Sequence, residues 1–243
     1  MSPSSLLSNR GSDGTETPRF EVFLPAPAGP LPNKGRLGVL GGAYNPITRA
    51  HLLLAHYSKE QCNLHEIIFV LPRILPNKPL VGVSIEQRLE MMRLGVRGVP
   101  YISLGLCSHG LFIDICTALQ QIYPPESEIF FITGRDAAER ILSWPYDDPA
   151  GSLAKMFGAF QLLVFERQGK PKLPQDPLIK QYLDRIHILE MAENLDHISS
   201  TNVRRRMTTG QSIEELVPPK VASYIINHKL YKKQAEQHAG SLA

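Results

Sequence analysis

The sequence LGVLGGAYNPITRAH occupies residues 37–51 and decides the fold class. Its first four residues form a short apolar run that is typical of a buried strand. Gly41 and Gly42 follow; they leave no Cβ to obstruct a ligand and permit unusual backbone angles. An Asn-Pro pair then indicates a turn, and Thr48 is the expected N-cap of a helix that reaches about Gln61. The pattern is therefore a strand, a glycine turn and a helix.

The start of that helix is suited to anions. The first N–H groups of a helix have no intrahelical acceptor, and the helix dipole adds positive charge at the same end. His51 lies three residues after Thr48, so the two side chains can face the same point. We therefore expect this segment to hold a phosphate group.

A second segment repeats this logic. Residues 198–204 read ISSTNVR, and they follow an apolar run at 185–189 that is typical of a strand. Three hydroxyl side chains stand at the start of a helix expected over 202–209: Ser199, Ser200 and Thr201. Arg204 lies one turn into that helix, and its planar guanidinium suits phosphate oxygens. Together the two segments could surround a nucleoside triphosphate.

Apolar runs and helical patterns alternate along the rest of the chain. Strands are expected at 66–71, 101–104, 128–133 and 160–165, and helices at 84–96 and 114–123. This alternation predicts an α/β fold, a doubly wound and mainly parallel sheet with helices on both faces and a small C-terminal helical segment. Ligands of such sheets bind beyond the carboxyl ends of the strands, where Gly41, Gly134 and the second segment are expected to meet.

Length and composition fit one main domain, expected over residues 35–231 of the 243. Residues 1–34 are rich in Ser, Pro and Gly and predict a flexible extension, and residues 232–243 predict a polar tail. The net charge of +3 and the absence of a long basic run do not indicate nucleic acid, and no apolar stretch is long enough for a membrane span. Three cysteines without metal-ligand spacing predict reduced thiols and a cytoplasmic protein.

These motifs resemble those of the nicotinate/nicotinamide mononucleotide adenylyltransferases, within the nucleotidyltransferase superfamily that carries the (His/Thr)-x-Gly-His signature. The resemblance covers about residues 36–231. Thr48 and His51 occupy the first and last signature positions, and residues 198–204 resemble the Ile-Ser-Ser-Thr-x-x-Arg motif. The tail over 206–231 is similar to that of the bacterial-type enzymes. The fold implied is the Rossmann-like nucleotidyltransferase fold.

Two positions depart from the family pattern. Ala50 stands where the signature usually has glycine, although some pyridine-nucleotide members also replace it. Bacterial members commonly have an aromatic-Thr-x-Asp-Thr-Leu run near the pyridine, and in the run Phe112–Cys116 only Asp114 clearly matches it. The departures concern the acceptor base rather than the ATP chemistry.

The resemblance implies transfer of AMP from ATP to a pyridine mononucleotide, with Mg²⁺ expected on the triphosphate and held mostly by phosphate and water. The expected catalytic residues are Thr48 and His51 at the α-phosphate, with Lys78 and Arg204. The expected ATP-binding residues are Gly41, Gly42, Gly134, Asp136, Ser199, Ser200 and Thr201. The expected pyridine mononucleotide site comprises Asn45, Trp144 and Arg167.

Three functions remain open from the sequence. The first is a nicotinate or nicotinamide mononucleotide adenylyltransferase. The second is a related transferase whose acceptor is phosphopantetheine or an alcohol phosphate. The third is a non-catalytic nucleotide-binding regulator on the same fold, which loss of His51 or Arg204 would favour, although both are present. The sequence does not distinguish the acid from the amide at the pyridine ring, and it leaves a homo-oligomer open.

Overall fold

Seven strands form one sheet in the part of the chain that the computed structural model describes, which is residues 17–73, 82–165, 176–191, 195 and 197–232. The strands are β1 Phe20–Leu24, β2 Arg36–Gly41, β3 Glu66–Pro72, β4 Ile102–Cys107, β5 Glu128–Gly134, β6 Gln161–Phe165 and β7 Ile186–Leu189. Their spatial order is β1-β4-β3-β2-β5-β6-β7. All neighbours pair in parallel except β1 and β4, so the predicted doubly wound, mainly parallel sheet is confirmed.

Helices connect these strands and continue after the last one. They are α1 Arg49–Cys62, α2 Ile85–Val96, α3 Phe112–Leu119, α4 Arg135–Leu142, α5 Pro149–Ala159, α6 Pro177–Lys180, α7 Ser200–Thr209 and α8 Pro219–Asn227. The helix expected at 114–123 begins earlier, with Leu111 as its N-cap rather than Asp114. Of the helices in the described residues, none combines the length and the apolar character needed to cross a membrane.

Burial of the central strands on both faces explains their apolar sequences. All seven residues of β3 are buried, as expected for a parallel strand covered by helices on each side. Successive side chains alternate between faces, so Ile67 and Phe69 enter one buried cluster while Ile68 and Val70 enter the other. The sheet is therefore a rigid support between two apolar layers, and its carboxyl edge is free to carry a site.

The strand β1 corrects the predicted N-terminal boundary. Residues 20–24 lie inside the segment expected to be a flexible extension, yet they pair antiparallel with β4 along its outer edge. The Phe20 ring lies so close to Gly105 that a Cβ at Gly105 would be 2.2 Å from it, which shows tight packing of the added strand. The main domain therefore begins before residue 35. Residues 1–16 and 233–243 lie outside the described residues.

Candidate active site

The loop from β2 to α1 ends in a capped helix, as the sequence predicts. Thr48 has extended backbone angles and is the N-cap of α1, and His51 is the third residue of the first turn. The Thr48 N–H donates to His51 Nδ1 at 3.0 Å, and Thr48 Oγ1 lies 2.7 Å from the same nitrogen. This is a capping box in which histidine replaces the usual Glu or Gln.

The cap also fixes the proton of the His51 ring. A main-chain N–H can only donate, so Nδ1 accepts and the neutral imidazole carries its proton on Nε2. The ring of Tyr44 lies 5.1 Å from the His51 ring, centroid to centroid, and limits its movement. His51 lines the cavity beyond the sheet edge, so its Nε2–H is a donor prepared for a ligand oxygen.

Tyr44 holds the loop in a shape that the two glycines were expected to provide. Neither Gly41 nor Gly42 has a positive φ, whereas Tyr44 has a φ of 42°, which is rare for a bulky residue. The Tyr44 hydroxyl donates to the Leu40 carbonyl, and its ring stacks on Phe69 at 5.6 Å. These buried contacts keep the strained backbone in place.

Packing among the described residues does not require glycine at positions 41 and 42. Among the described residues, a Cβ at Gly41 would meet Phe112 alone, at 3.9 Å, and one at Gly42 would lie 3.4 Å from the Tyr44 ring, both ordinary contact distances. Both glycines line the cavity. Their lack of a side chain therefore leaves room for close approach of a ligand.

The second motif forms the start of α7, which begins at Ser200, two residues earlier than expected. Ser199 is the N-cap, and its Oγ accepts from the Asn202 N–H at 3.1 Å. Thr201 Oγ1 accepts from Arg204 Nη2 at 3.3 Å. The N–H groups of Ser200 and Thr201 stand in the first turn, where helix geometry gives them no intrahelical acceptor. This turn therefore offers main-chain donors beside a guanidinium.

The two motifs dock directly on each other. Arg204 Nη1 donates to the Asn45 carbonyl at 2.7 Å, and Ser200 Oγ donates to the adjacent Pro46 carbonyl at 2.7 Å. The second of these bonds joins residues that are 154 positions apart in the chain. The predicted meeting of the two phosphate motifs is therefore observed, with the start of α7 seated against the loop that precedes His51.

A cavity of about 470 Å³ opens at the same edge of the sheet. It is lined mainly by apolar groups from the ends of β2 and β5, the start of α3 and the segment after α4. Five of the residues predicted from the sequence line it: Gly41, Gly42, His51, Gly134 and Trp144. Trp144 is 36% exposed, so much of its ring is available to a ligand. The size and lining suit an aromatic nucleotide.

Two predicted ligand residues are buried and bond to other groups of the protein. Thr48 is fully buried, and its polar groups bond to His51 and orient it; its contact with the α-phosphate stays a prediction. Asn45 is 8% exposed and does not line the cavity; its carbonyl and its Oδ1 accept from Arg204 and Tyr231. Asn45 thus connects protein segments, and its contact with a pyridine mononucleotide stays a prediction.

Of the three remaining predicted residues, Asp136 alone lies in the described part of the chain. Asp136 is exposed in the first turn of α4, behind the N-cap Gly134, and does not line the cavity. Lys78 and Arg167 lie outside the described residues. The roles of these three residues stay predictions.

Sequence reasoning missed four residues around the site. Phe112 lines the cavity and stacks on Phe131 at 4.4 Å, and Arg140 lines the cavity from α4. Arg88 is buried in α2 and donates to the Ala43 carbonyl at 3.4 Å, while Tyr231 bonds to Asn45. The altered run at 112–116 pointed to Phe112; no local pattern distinguishes the other three.

The donor set indicates how a metal would be held. Within the described ranges, no group of three or more His, Cys, Asp or Glu side chains is placed to bind a metal ion. The site instead offers N–H groups and cations, which bind phosphate oxygens. These residues fit a divalent cation that arrives on a triphosphate and keeps phosphate and water ligands.

Comparison with known proteins agrees with this arrangement. A family model described as cytidylyltransferase-like matches residues 39–206. The chain is 32% identical over 209 residues to a probable nicotinate-nucleotide adenylyltransferase of Dehalococcoides mccartyi, across 82% of this chain and 98% of that one. It is 29% identical over 222 residues to another of the same name from Pelobacter propionicus, across 82% and 99% of the two chains.

The fold has a counterpart among solved structures. Plasmodium falciparum nicotinic acid mononucleotide adenylyltransferase complexed with NaAD superposes with a TM-score of 0.59 at 21% identity, over 81% of this chain and 97% of that one. This likeness concerns the fold, and it confirms the predicted nucleotidyltransferase architecture. The chain belongs to the cytidylyltransferase-like family and, within it, to the group of the nicotinate-nucleotide adenylyltransferases.

Proposed function

We propose that the protein transfers AMP from ATP to nicotinate mononucleotide. A phosphate oxygen of the mononucleotide attacks the α-phosphorus of ATP, the bond from that phosphorus to the bridging oxygen breaks, and pyrophosphate leaves. The observation that carries the proposal is the docking of Arg204 and Ser200 onto the carbonyls of residues 45 and 46, in the loop that precedes His51. This docking brings together the donors proposed for the α-phosphate and those proposed for the departing pyrophosphate. The relatives described above are named as probable nicotinate-nucleotide adenylyltransferases, which is the same reaction class.

The chemistry needs alignment and charge stabilisation rather than a base. The attacking phosphate is already an anion, so the protein must hold two mutually repelling phosphates in line and stabilise the charge that develops. His51 donates from Nε2 to an oxygen of the α-phosphate. Arg204 and the N–H groups of Ser200 and Thr201 bind the pyrophosphate that departs.

Mg²⁺ accompanies the triphosphate in this proposal. When bound, it neutralises part of the phosphate charge. The described residues supply no carboxylate cluster for it, and the donors at the two helix starts leave phosphate oxygens and water as its ligands. Lys78, from the segment outside the described residues, adds a further cation to the phosphates, and Asp136 binds the ATP ribose.

The cavity supports a pyridine ring as the acceptor base. Trp144 and Phe112 both line it, and each has an aromatic ring that can stack on a ligand. The start of α3 also lines it, and this helix has no side-chain cap bond, so its first N–H groups can receive a carboxylate. This favours the nicotinate form over the nicotinamide form. Arg167 is a further candidate at this site.

The free and mostly buried cysteines support a reducing, cytoplasmic location. Cys107 and Cys116 are buried, and burial raises the pKa of the Cys107 thiol to about 11 and that of Cys116 to about 12, so both stay protonated and unreactive. Cys62 is also a free thiol.

An acceptor screen tests the proposed function. Purified protein is incubated with ATP, Mg²⁺ and a panel of nicotinate mononucleotide, nicotinamide mononucleotide, phosphopantetheine and simple alcohol phosphates, and pyrophosphate release is followed. The highest kcat/KM is expected with nicotinate mononucleotide. Equal use of the two mononucleotides would defeat the acid preference, and activity only on phosphopantetheine or an alcohol phosphate would defeat the assignment.

A further inference from the structure

Tyr231, near the C-terminal end of the described chain, contacts the loop between β2 and α1 at Asn45. Its hydroxyl donates to Asn45 Oδ1 at 2.8 Å, across 186 positions of sequence. The Tyr231 ring lies against Gly82, where an added Cβ would be 3.7 Å from it, and its hydroxyl is 4.0 Å from Met91 Sδ. The segment after α8 therefore packs directly behind the loop that carries the site.

The backbone of Tyr231 adds a second observation. Its φ is 60°, a left-handed conformation that residues other than glycine rarely adopt. Such a conformation persists where surrounding contacts determine it, and the contacts here are those of the Tyr231 side chain. The chain bends at this residue in a way that brings the phenol to Asn45.

The phenol stays a donor under working conditions. Burial raises the pKa of Tyr231, although the positive charges of Arg88 and Arg204 oppose this effect. The hydroxyl is therefore protonated at neutral pH and donates to the amide oxygen of Asn45 throughout. Asn45, which accepts this bond through its side chain, also accepts from Arg204 Nη1 through its main-chain carbonyl, at 2.7 Å.

We propose that Tyr231 is a positioning residue for the triphosphate site, acting through Asn45 to hold the backbone on which Arg204 and Ser200 dock. The proposal rests on the proposed function. Three segments form hydrogen bonds to the same loop. Helix α2 bonds to the Ala43 carbonyl, α7 bonds to the carbonyls of residues 45 and 46, and the C-terminal segment bonds to the Asn45 side chain. Without the phenol hydroxyl, the Asn45 side chain loses its hydrogen bond to Tyr231. The Asn45 carbonyl that orients Arg204 is then held less firmly.

The substitution Tyr231→Phe tests this, because it removes the hydroxyl and keeps the packed ring. We expect kcat/KM for ATP to fall about 10-fold, since small misplacement of a positioned group carries a large kinetic cost. The KM for the mononucleotide should stay unchanged, because Tyr231 does not line the cavity. The matched control is Tyr224→Phe on α8, whose hydroxyl makes no hydrogen bond among the described residues and which should leave all constants unchanged.

A double-mutant cycle separates positioning from general structure. If Tyr231 acts through Asn45, Tyr231→Phe should have little further effect in an Asn45→Ala protein. Equal losses in both backgrounds, or a Tyr231→Phe protein as active as the Tyr224→Phe control, would overturn the proposal. A uniform loss in both substrates' constants with a large fall in melting temperature would also overturn it, because that pattern indicates a structural role.

A binding measurement with an ATP analogue tests the positioning role of Tyr231 without depending on which acceptor the protein uses. If the unmodified protein released no pyrophosphate with either mononucleotide, the proposed function would fail, but equilibrium binding of a non-hydrolysable ATP analogue could still be measured. Tyr231→Phe should then weaken analogue binding several-fold relative to Tyr224→Phe. Identical binding by the two variants would reject the positioning role on its own.

Discussion

His51 is the residue on which the proposed chemistry most depends. Its Nδ1 accepts from the Thr48 N–H, so the ring donates through Nε2, which we propose donates to the α-phosphate. His51→Ala should lower kcat at least about 100-fold, the scale of losing one transition-state donor. The capping contact is partly lost as well, so a melting curve is the control. A variant with near-normal turnover would show that this motif is assigned wrongly.

Three consecutive arginines on α7 should behave differently. Arg204 faces the loop at residues 45 and 46, whereas Arg205 is exposed and bonds to Asn202, and Arg206 pairs with Glu215. Arg204→Ala should lower kcat/KM for ATP about 100-fold through loss of a charged phosphate contact. Arg205→Ala is the matched control and should be near normal. Equal, mild effects in steady-state kinetics would favour a solvated basic face over a phosphate clamp.

At this scale the sequence predicts residues whose roles follow from local spacing. The N-cap Thr48, the first-turn position of His51 and, to within two residues, the start of α7 were predictable, because capping depends on neighbours within four residues. The burial of Asn45 and its bond to Tyr231 were not, because a contact across 186 positions leaves no periodic pattern.

The connection between α4 and α5 carries Trp144, the residue proposed to stack on the pyridine ring. Trp144 lies there, partly exposed and facing the cavity shared with α3. Trp144→Ala should raise the KM for the mononucleotide more than that for ATP. Stacking on an aromatic ring contributes roughly 1–3 kcal/mol by analogy with nucleic-acid bases, which corresponds to about 5- to 150-fold. Steady-state kinetics with each substrate varied in turn measures this, and a larger effect on ATP would place the ring at the adenine instead.

The edge strand β7 should make stability depend on pH. Burial, with the charges of Arg36 and Arg185, lowers the pKa of His187 below its ordinary value of 6.5. The unfolded chain therefore binds this proton more readily than the folded protein, and stability falls as the pH drops through the ordinary value. Between about pH 7.5 and pH 5.5 the melting temperature should fall less for His187→Gln than for the unmodified protein. Equal falls would contradict the assigned shift.

Element positions show where sequence patterns succeed. The buried strands of the parallel sheet are continuous apolar runs, and the capping box of Ser84 and Gln87 marks the start of α2, so both were predictable. The strand β1 was missed because its surroundings are rich in Ser, Pro and Gly. Its pairing depends on the exposed edge of β4, which the local sequence does not reveal.

On the scale of the whole molecule, the sheet brings distant parts of the chain to one edge. The ends of β2 and β5 and the start of α3 line the cavity, while α7 and the C-terminal segment hold the loop beside it. Parallel topology predicts that strand ends meet there, so the sequence located the edge. The exact partners across it follow from side-chain packing, which only the folded chain defines.

The central claim is that the phosphate of a pyridine mononucleotide takes the adenylyl group of ATP. Its most direct test follows ATP labelled in the α-phosphate during incubation with the unmodified protein, Mg²⁺ and nicotinate mononucleotide, with products separated by chromatography. We predict that the label appears in the dinucleotide and that pyrophosphate forms in equal amount. Label that stays in ATP, or that appears as free AMP without the dinucleotide, would contradict the account.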